Sequence, residues 1–192
     1  MRKSALTASI ALSATLVLGA CGGGGAVSAP DTTAAATSAS FNDDDVMFAQ
    51  MMIPHHEQAI EMSDIALDPT VGASDAVRQL ATRIKGAQDP EIEMMTGMLT
   101  GWGKSTEMDM SMDHGSMMDG MLTAEELDAL GVLRGAEFDR AWMEAMIKHH
   151  EGALAMAKDV LEGGTDPAVR KLAEEIVSGQ QAEIDEMRGL LG

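Results

Sequence analysis

The chain has 192 residues, 45% of them hydrophobic, which allows one ordinary domain with a buried core plus extra segments. Its formal net charge of −18 repels nucleic acid and anionic lipid head groups and favours cations near the surface. Aromatic residues make up only 3%, with no tyrosine, against 18 methionines, so methionine either fills the core in their place or binds something soft.

The N-terminus reads as an export signal over residues 1–20. Arg2 and Lys3 precede an apolar run from Ala5 to Leu18 that is too short for the roughly 20 residues of a membrane span. It ends in "LGAC", Leu18 to Cys21, which is similar to the lipobox of bacterial lipoproteins and implies lipidation of Cys21. Cys21 is the only cysteine, so no intrachain disulfide can form. Residues 21–40 lack apolar periodicity and read as a flexible tether carrying the lipidated cysteine. The expected location is extracytoplasmic, on the outer face of the cytoplasmic membrane or in the cell envelope, with the lipid anchor as the only membrane contact.

Residues 41–192 are organised by an internal repeat. A shift of 94 lays "MMIPHHEQAIEM", Met51 to Met62, on "AMIKHHEGALAM", Ala145 to Met156, with Asp45 on Asp139 and Phe48 on Trp142. A shift of 92 lays Gln88 on Gln180, Glu91 on Glu183 and Met95 on Met187. Repeat one covers residues 41–100 and repeat two residues 136–192. In each, apolar residues step by three and four through a first stretch (Phe48, Met52, His55, Ala59, Met62; Trp142, Met146, His149, Ala153, Met156) and then a second (Val77, Leu80, Ile84, Gln88; Val169, Leu172, Ile176, Gln180), the spacing of amphipathic helices. Ser74 and Asp166 are the expected N-caps of the second helices, Asp166 followed by Pro167 in the first turn. Two such hairpins, neither able to bury its stripe alone, predict an all-α antiparallel four-helix bundle. Pro54 and Pro90 lie inside helices of repeat one only, so that hairpin is expected to be the less regular.

Between the repeats, residues 101–122 form an insert, and a short helix over 123–134 opens with Thr123 capping and Glu126 three residues on. The insert gathers Met108, Met110, Met112, Met117, Met118 and Met121 around His114 without core periodicity. Thioethers select Cu(I), and imidazole accepts either copper oxidation state, so the cluster points to copper capture, Cu(I) before Cu(II).

A histidine on an apolar helix face is usually a satisfied core residue, but here the pattern occurs twice at equivalent positions. Neighbours on a helix diverge by about 100°. His55 and His149 should therefore face the core and His56 and His150 lie at the stripe's edge. If the hairpins pack about a pseudo-twofold axis, His55 and His149 face each other across helices roughly 8 to 10 Å apart, with room for one shared ion. Met52 and Met146, one turn earlier, are the thioethers near enough to join such a site. Glu91 and Glu183, each three residues after Gln88 or Gln180, are candidates to orient the imidazoles by hydrogen bonds.

The doubled M-I-x-H-H-E, with Phe138-Asp139 upstream and Q-x-x-E-I-x-x-M at Gln88 and Gln180, resembles the exported bacterial family catalogued as domain of unknown function 305. The resemblance implies a ferritin-like four-helix bundle and, from its His- and Met-rich members, copper binding and tolerance. A di-iron oxidase on the same fold would need a Glu-x-x-His motif, and no Glu stands three residues before any of the paired histidines. The expectation is a copper-buffering or copper-sequestering lipoprotein without a catalytic step. A metal-free structural or adaptor module is the first alternative and the di-iron oxidase a less favoured second, and any protein partner for copper transfer is unknown.

Overall fold

The computed structural model describes residues 40–107 and 119–192. Five helices and no strand are found among the described residues: α1 (Asp43–Leu67), α2 (Asp75–Gly101), α3 (Ala124–Val132), α4 (Gly135–Gly163) and α5 (Pro167–Leu191). Residues 1–39, which hold the expected export signal, Cys21 and most of the expected tether, and residues 108–118 of the insert lie outside this range.

The helix starts follow local chemistry. Asn42 and Asp45 form a reciprocal capping box at α1, as do Thr123 and Glu126 at α3, each satisfying backbone N–H groups that a helix start leaves orphaned. Ser74 caps α2, and Asp166 caps α5 ahead of Pro167, both as expected. The short helix stops at Val132, two residues before the anticipated end. Neither proline breaks its helix: α1 runs 25 residues through Pro54 and α2 runs 27 through Pro90. Each proline removes one backbone donor, a loss that tertiary packing of a long amphipathic helix absorbs.

The helices pair as α1 with α2 and α4 with α5, and the two hairpins meet along α1 and α4. All seams are antiparallel. On α1/α2, His56 pairs with Glu91 and Asp64 with Lys85; on α4/α5, His150 pairs with Glu183 and Arg170 donates to the Leu161 carbonyl. On α1/α4, the buried Trp142 indole N–H donates to the Met62 carbonyl at 2.9 Å, and His55 meets His149. Arg83 of α2 reaches Glu186 of α5.

The two repeats fasten each other. Asp45 of repeat one is fully buried, and its Oδ2 accepts the backbone N–H groups of Thr165 and Asp166 at 3.0 and 3.1 Å, holding the α4/α5 turn. Its counterpart Asp139 accepts the Ser74 N–H at 3.1 Å and holds the α1/α2 turn.

The apolar interior divides in two. One cluster joins Met62, Val77, Leu80, Ile84, Phe138, Trp142, Met146, Ile184 and Met187. The other joins Phe48, Met51, Met52, Met95, Leu99, Met156, Val160, Val169, Leu172 and Ile176. Between these ends of the hairpin pair lies a polar layer: His55, His56, Gln88, His149, His150 and Gln180, all buried.

Candidate metal centre

Each long helix contributes to that layer: His55 and His56 from α1, Gln88 and Glu91 from α2, His149 and His150 from α4, Gln180 and Glu183 from α5. The four histidines are 0% exposed. His56 and His150 were expected at the edge of the stripe; instead the second helix of each hairpin covers them. Glu91 Oε2 lies 2.8 Å from His56 Nε2, and Glu183 Oε2 lies 2.8 Å from His150 Nε2. The carboxylates thus hold the outer imidazoles in matching orientations.

The inner pair is closer than anticipated. The rings of His55 and His149 have centroids 3.8 Å apart at a tilt of 41°, which is ring contact. No ion fits between the ring faces. An ion shared by the two imidazoles would have to be held at their nitrogen edges, or the rings would have to turn apart.

Six ring nitrogens have no hydrogen-bond partner: both of His55, both of His149, and Nδ1 of His56 and of His150. Both side-chain atoms of Gln88 and of Gln180 are likewise unpartnered. Buried polar groups are nearly always satisfied, since each unmet group forfeits on the order of 1–3 kcal/mol, so this concentration in one layer calls for a ligand or bound water. Burial, reinforced by neighbouring His56 and His150, pushes the His55 imidazole down to about 3. The Asp119 backbone nearby opposes this shift without meeting either ring nitrogen in hydrogen-bond geometry. Burial, then the surrounding histidines, also holds His149 well below its ordinary value, against an opposing contact from the His55 backbone that likewise falls short of hydrogen-bond geometry. Both inner rings are therefore unprotonated at neutral pH, the form in which imidazole binds metal.

Among the described residues no three His, Cys, Asp or Glu side chains stand together as a ready cation site. A metal held by the inner imidazoles alone has few ligands, a condition that suits a monovalent d10 ion and not a hard divalent one. Met52 and Met146 are fully buried one turn before the inner histidines, but they belong to opposite apolar clusters.

The ends of the insert are fixed close to this layer. Gln50 of α1 donates to the Ser105 carbonyl at 2.8 Å. Gln58 clamps Leu122 in both directions, donating to its carbonyl at 2.8 Å and accepting its N–H at 2.7 Å. His55 stands between these two glutamines on α1. Met121 is half-buried in an apolar groove with Leu122, Leu130, Ala141 and Ala145. Of the other expected capture ligands, Met108, Met110, Met112, His114, Met117 and Met118 lie outside the described residues.

The sequence pattern described as domain of unknown function (DUF305) matches residues 45–191. The chain belongs to the DUF305 family. A DUF305 protein from Streptomyces coelicolor, described as a candidate secreted protein, is similar in structure with a TM-score of 0.72 and 34% identity, covering 77% of this chain and 91% of that one. CopM in its Cu(I)-bound form has a TM-score of 0.62 and 32% identity, covering 76% of this chain and 94% of its own, and CopM is also known in Cu(II)-bound and silver-bound forms. An uncharacterized protein of Acanthamoeba polyphaga mimivirus is 38% identical over 53 residues, 28% of this chain and 35% of its own length. The chain therefore matches about a third of that relative.

Sequence reasoning overlooked Gln50, Gln58, Asp119 and Gly152, which seat the insert. A signal existed: under the repeat shift Gln58 falls on Gly152 and Gln50 on Glu144, breaks in symmetry where one repeat holds the insert and the other does not.

Proposed function

We propose that this DUF305 protein is an extracytoplasmic, lipid-anchored copper-binding protein that buffers or sequesters copper without a catalytic step, on a ferritin-like antiparallel four-helix bundle. The reading is carried by one observation: six partnerless imidazole nitrogens sealed into the layer between two apolar clusters. A purely structural core would lose stability by keeping them, whereas a soft cation gives them a role.

His55 and His149 are the proposed ligands for Cu(I), with His56 and His150 adjoining and Glu91 and Glu183 orienting the outer rings. Met52 and Met146 are the nearest thioethers along the helices. The methionines and His114 of the insert form the proposed capture site, and the seating of the insert on either side of His55 gives captured copper a short way to the imidazoles. CopM, similar over most of its length, supports the choice of metal. Cys21 is the proposed lipid attachment. Among the described residues no helix is long and apolar enough to cross a membrane.

The test is a Cu(I) competition titration of the whole chain, of a chain whose residues 108–118 are replaced by a Gly/Ser segment of equal length, and of His55→Leu/His149→Leu. The expected result is fewer bound equivalents in the insert replacement and loss of the tightest site in the histidine variant. Wild-type protein that stays empty in the presence of reduced copper overturns the reading.

A further inference from the structure

A second cluster of soft ligands lies outside the histidine layer. On the α1/α4 seam a cavity of about 70 Å³ is lined by Met47, Met51, Met156, Phe48 and Val160, with Asp44 and Asp159 beside it. Met51 and Met156 are buried, Met47 is half-buried, and both carboxylates are exposed. Three thioethers from two helices thus border one small cavity with negative charge at its mouth.

We propose that Met47, Met51 and Met156 form a thioether site for a soft monovalent cation, Cu(I) or Ag(I), separate from the histidine layer and from the insert. Thioethers are the side chains that select such ions, and they require no proton to be lost before binding. The flanking carboxylates raise the local cation concentration and are not needed as ligands. Two of the three are particular to the first repeat, because the repeat shift lays Met47 and Met51 on Ala141 and Ala145, while Met156 falls on Met62. At that equivalent place the alanines line an apolar groove with Met121, Leu122, Leu130 and Leu133.

The position also suits a waystation. Met47, Met51 and His55 follow at four-residue steps along one face of α1, so Met51 is about 6 Å of helix rise from His55. From α4, Met156 lies seven residues beyond His149, about 10 Å of rise. A cation held by the thioethers stands between solvent and the imidazoles. This role rests on the copper reading of the histidine layer, but binding at the methionines does not.

The test titrates Ag(I) into the whole chain labelled with ¹³C at the methionine methyl groups and ¹⁵N in the imidazoles, so that each site reports separately. Single Met→Leu substitutions assign the signals, and Leu preserves enough volume for the fold to persist. The expected result is that the Met47, Met51 and Met156 methyl signals shift together. Met47→Leu/Met51→Leu/Met156→Leu should bind one fewer equivalent while the imidazole response remains. The proposal is overturned if those three methyl signals stay still at saturation, or if the triple variant binds as many equivalents as the parent. Shifted methyl signals with silent imidazoles support this site and sink the histidine reading.

Discussion

Gly152 of α4 leaves a gap that the backbone carbonyl of Asp119 fills: a Cβ at Gly152 would stand 1.8 Å from that oxygen and 3.3 Å from His55 Nε2. The C-terminal end of the insert therefore lies flat on α4 beside the inner imidazole. Gly120, next in the chain, has φ +90° and would clash with the Lys148 carbonyl if it carried a side chain, so the close approach depends on two glycines.

Gly152→Ala should push the Asp119–Gly120 backbone off α4. Overpacking of this kind typically destabilises by about 1–3 kcal/mol. For a chain of this size that lowers Tm by several degrees, and thermal denaturation followed by circular dichroism measures it. An unchanged Tm, with the Leu122 amide still protected from exchange by Gln58, would refute the seating.

His55→Leu should separate stability from function. The substitution removes an imidazole with two unpartnered nitrogens, so the metal-free protein should be stabilised by about 1 kcal/mol or more. Copper, expected to raise the Tm of the parent, should not raise that of the variant. A metal-free variant clearly less stable than the parent would mean that the imidazole is a satisfied structural group.

Glu91→Gln and Glu183→Gln should weaken Cu(I) binding without unfolding the protein. Groups that orient a ligand from behind typically contribute about 10–100-fold in affinity, and since these carboxylates hold the outer rings that adjoin His55 and His149, the loss should stay near the lower end, about 10-fold. Because the two contacts are equivalent at 2.8 Å, the two losses should be similar. Competition titration of both variants provides the check, and unaltered affinity in both would remove the carboxylates from the site.

Acid should destabilise the metal-free protein before ordinary carboxylate titration begins. His55 goes from 6.5 in the unfolded chain down to about 3 in the folded one, so between these values the unfolded state binds a proton that the folded state refuses. Stability is complete above pH 6.5 and declines as pH falls toward 3. Each unit of depression corresponds to about 1.4 kcal/mol. Denaturant unfolding from pH 7 to 4 should show the decline, with a shallower slope in His55→Leu. Equal slopes would place the loss elsewhere.

Much of this arrangement was readable because it is local or repeated. The caps at Ser74, Thr123 and Asp166 are short-range chemistry, and the inward histidines follow from helical periodicity applied twice. The pairing of Glu91 and Glu183 with histidines was inferable from position, but which ring each would meet was not: that depends on how far the second helix leans over the first, and both carboxylates reach the outer rings. The ring contact between His55 and His149 and the seating of Asp119 on Gly152 depend on the distance between helices, which no spacing within one helix encodes. Gln58 and Gly152 show where such information hides, in the departures from a repeat.

The reciprocal hold of Asp45 on one turn and Asp139 on the other has an evolutionary corollary. Since the halves are clasped by their own carboxylates, the segment joining them is released from the work of keeping them together. Selection can then lengthen it, shorten it or change its side chains, while the helical frame is inherited intact.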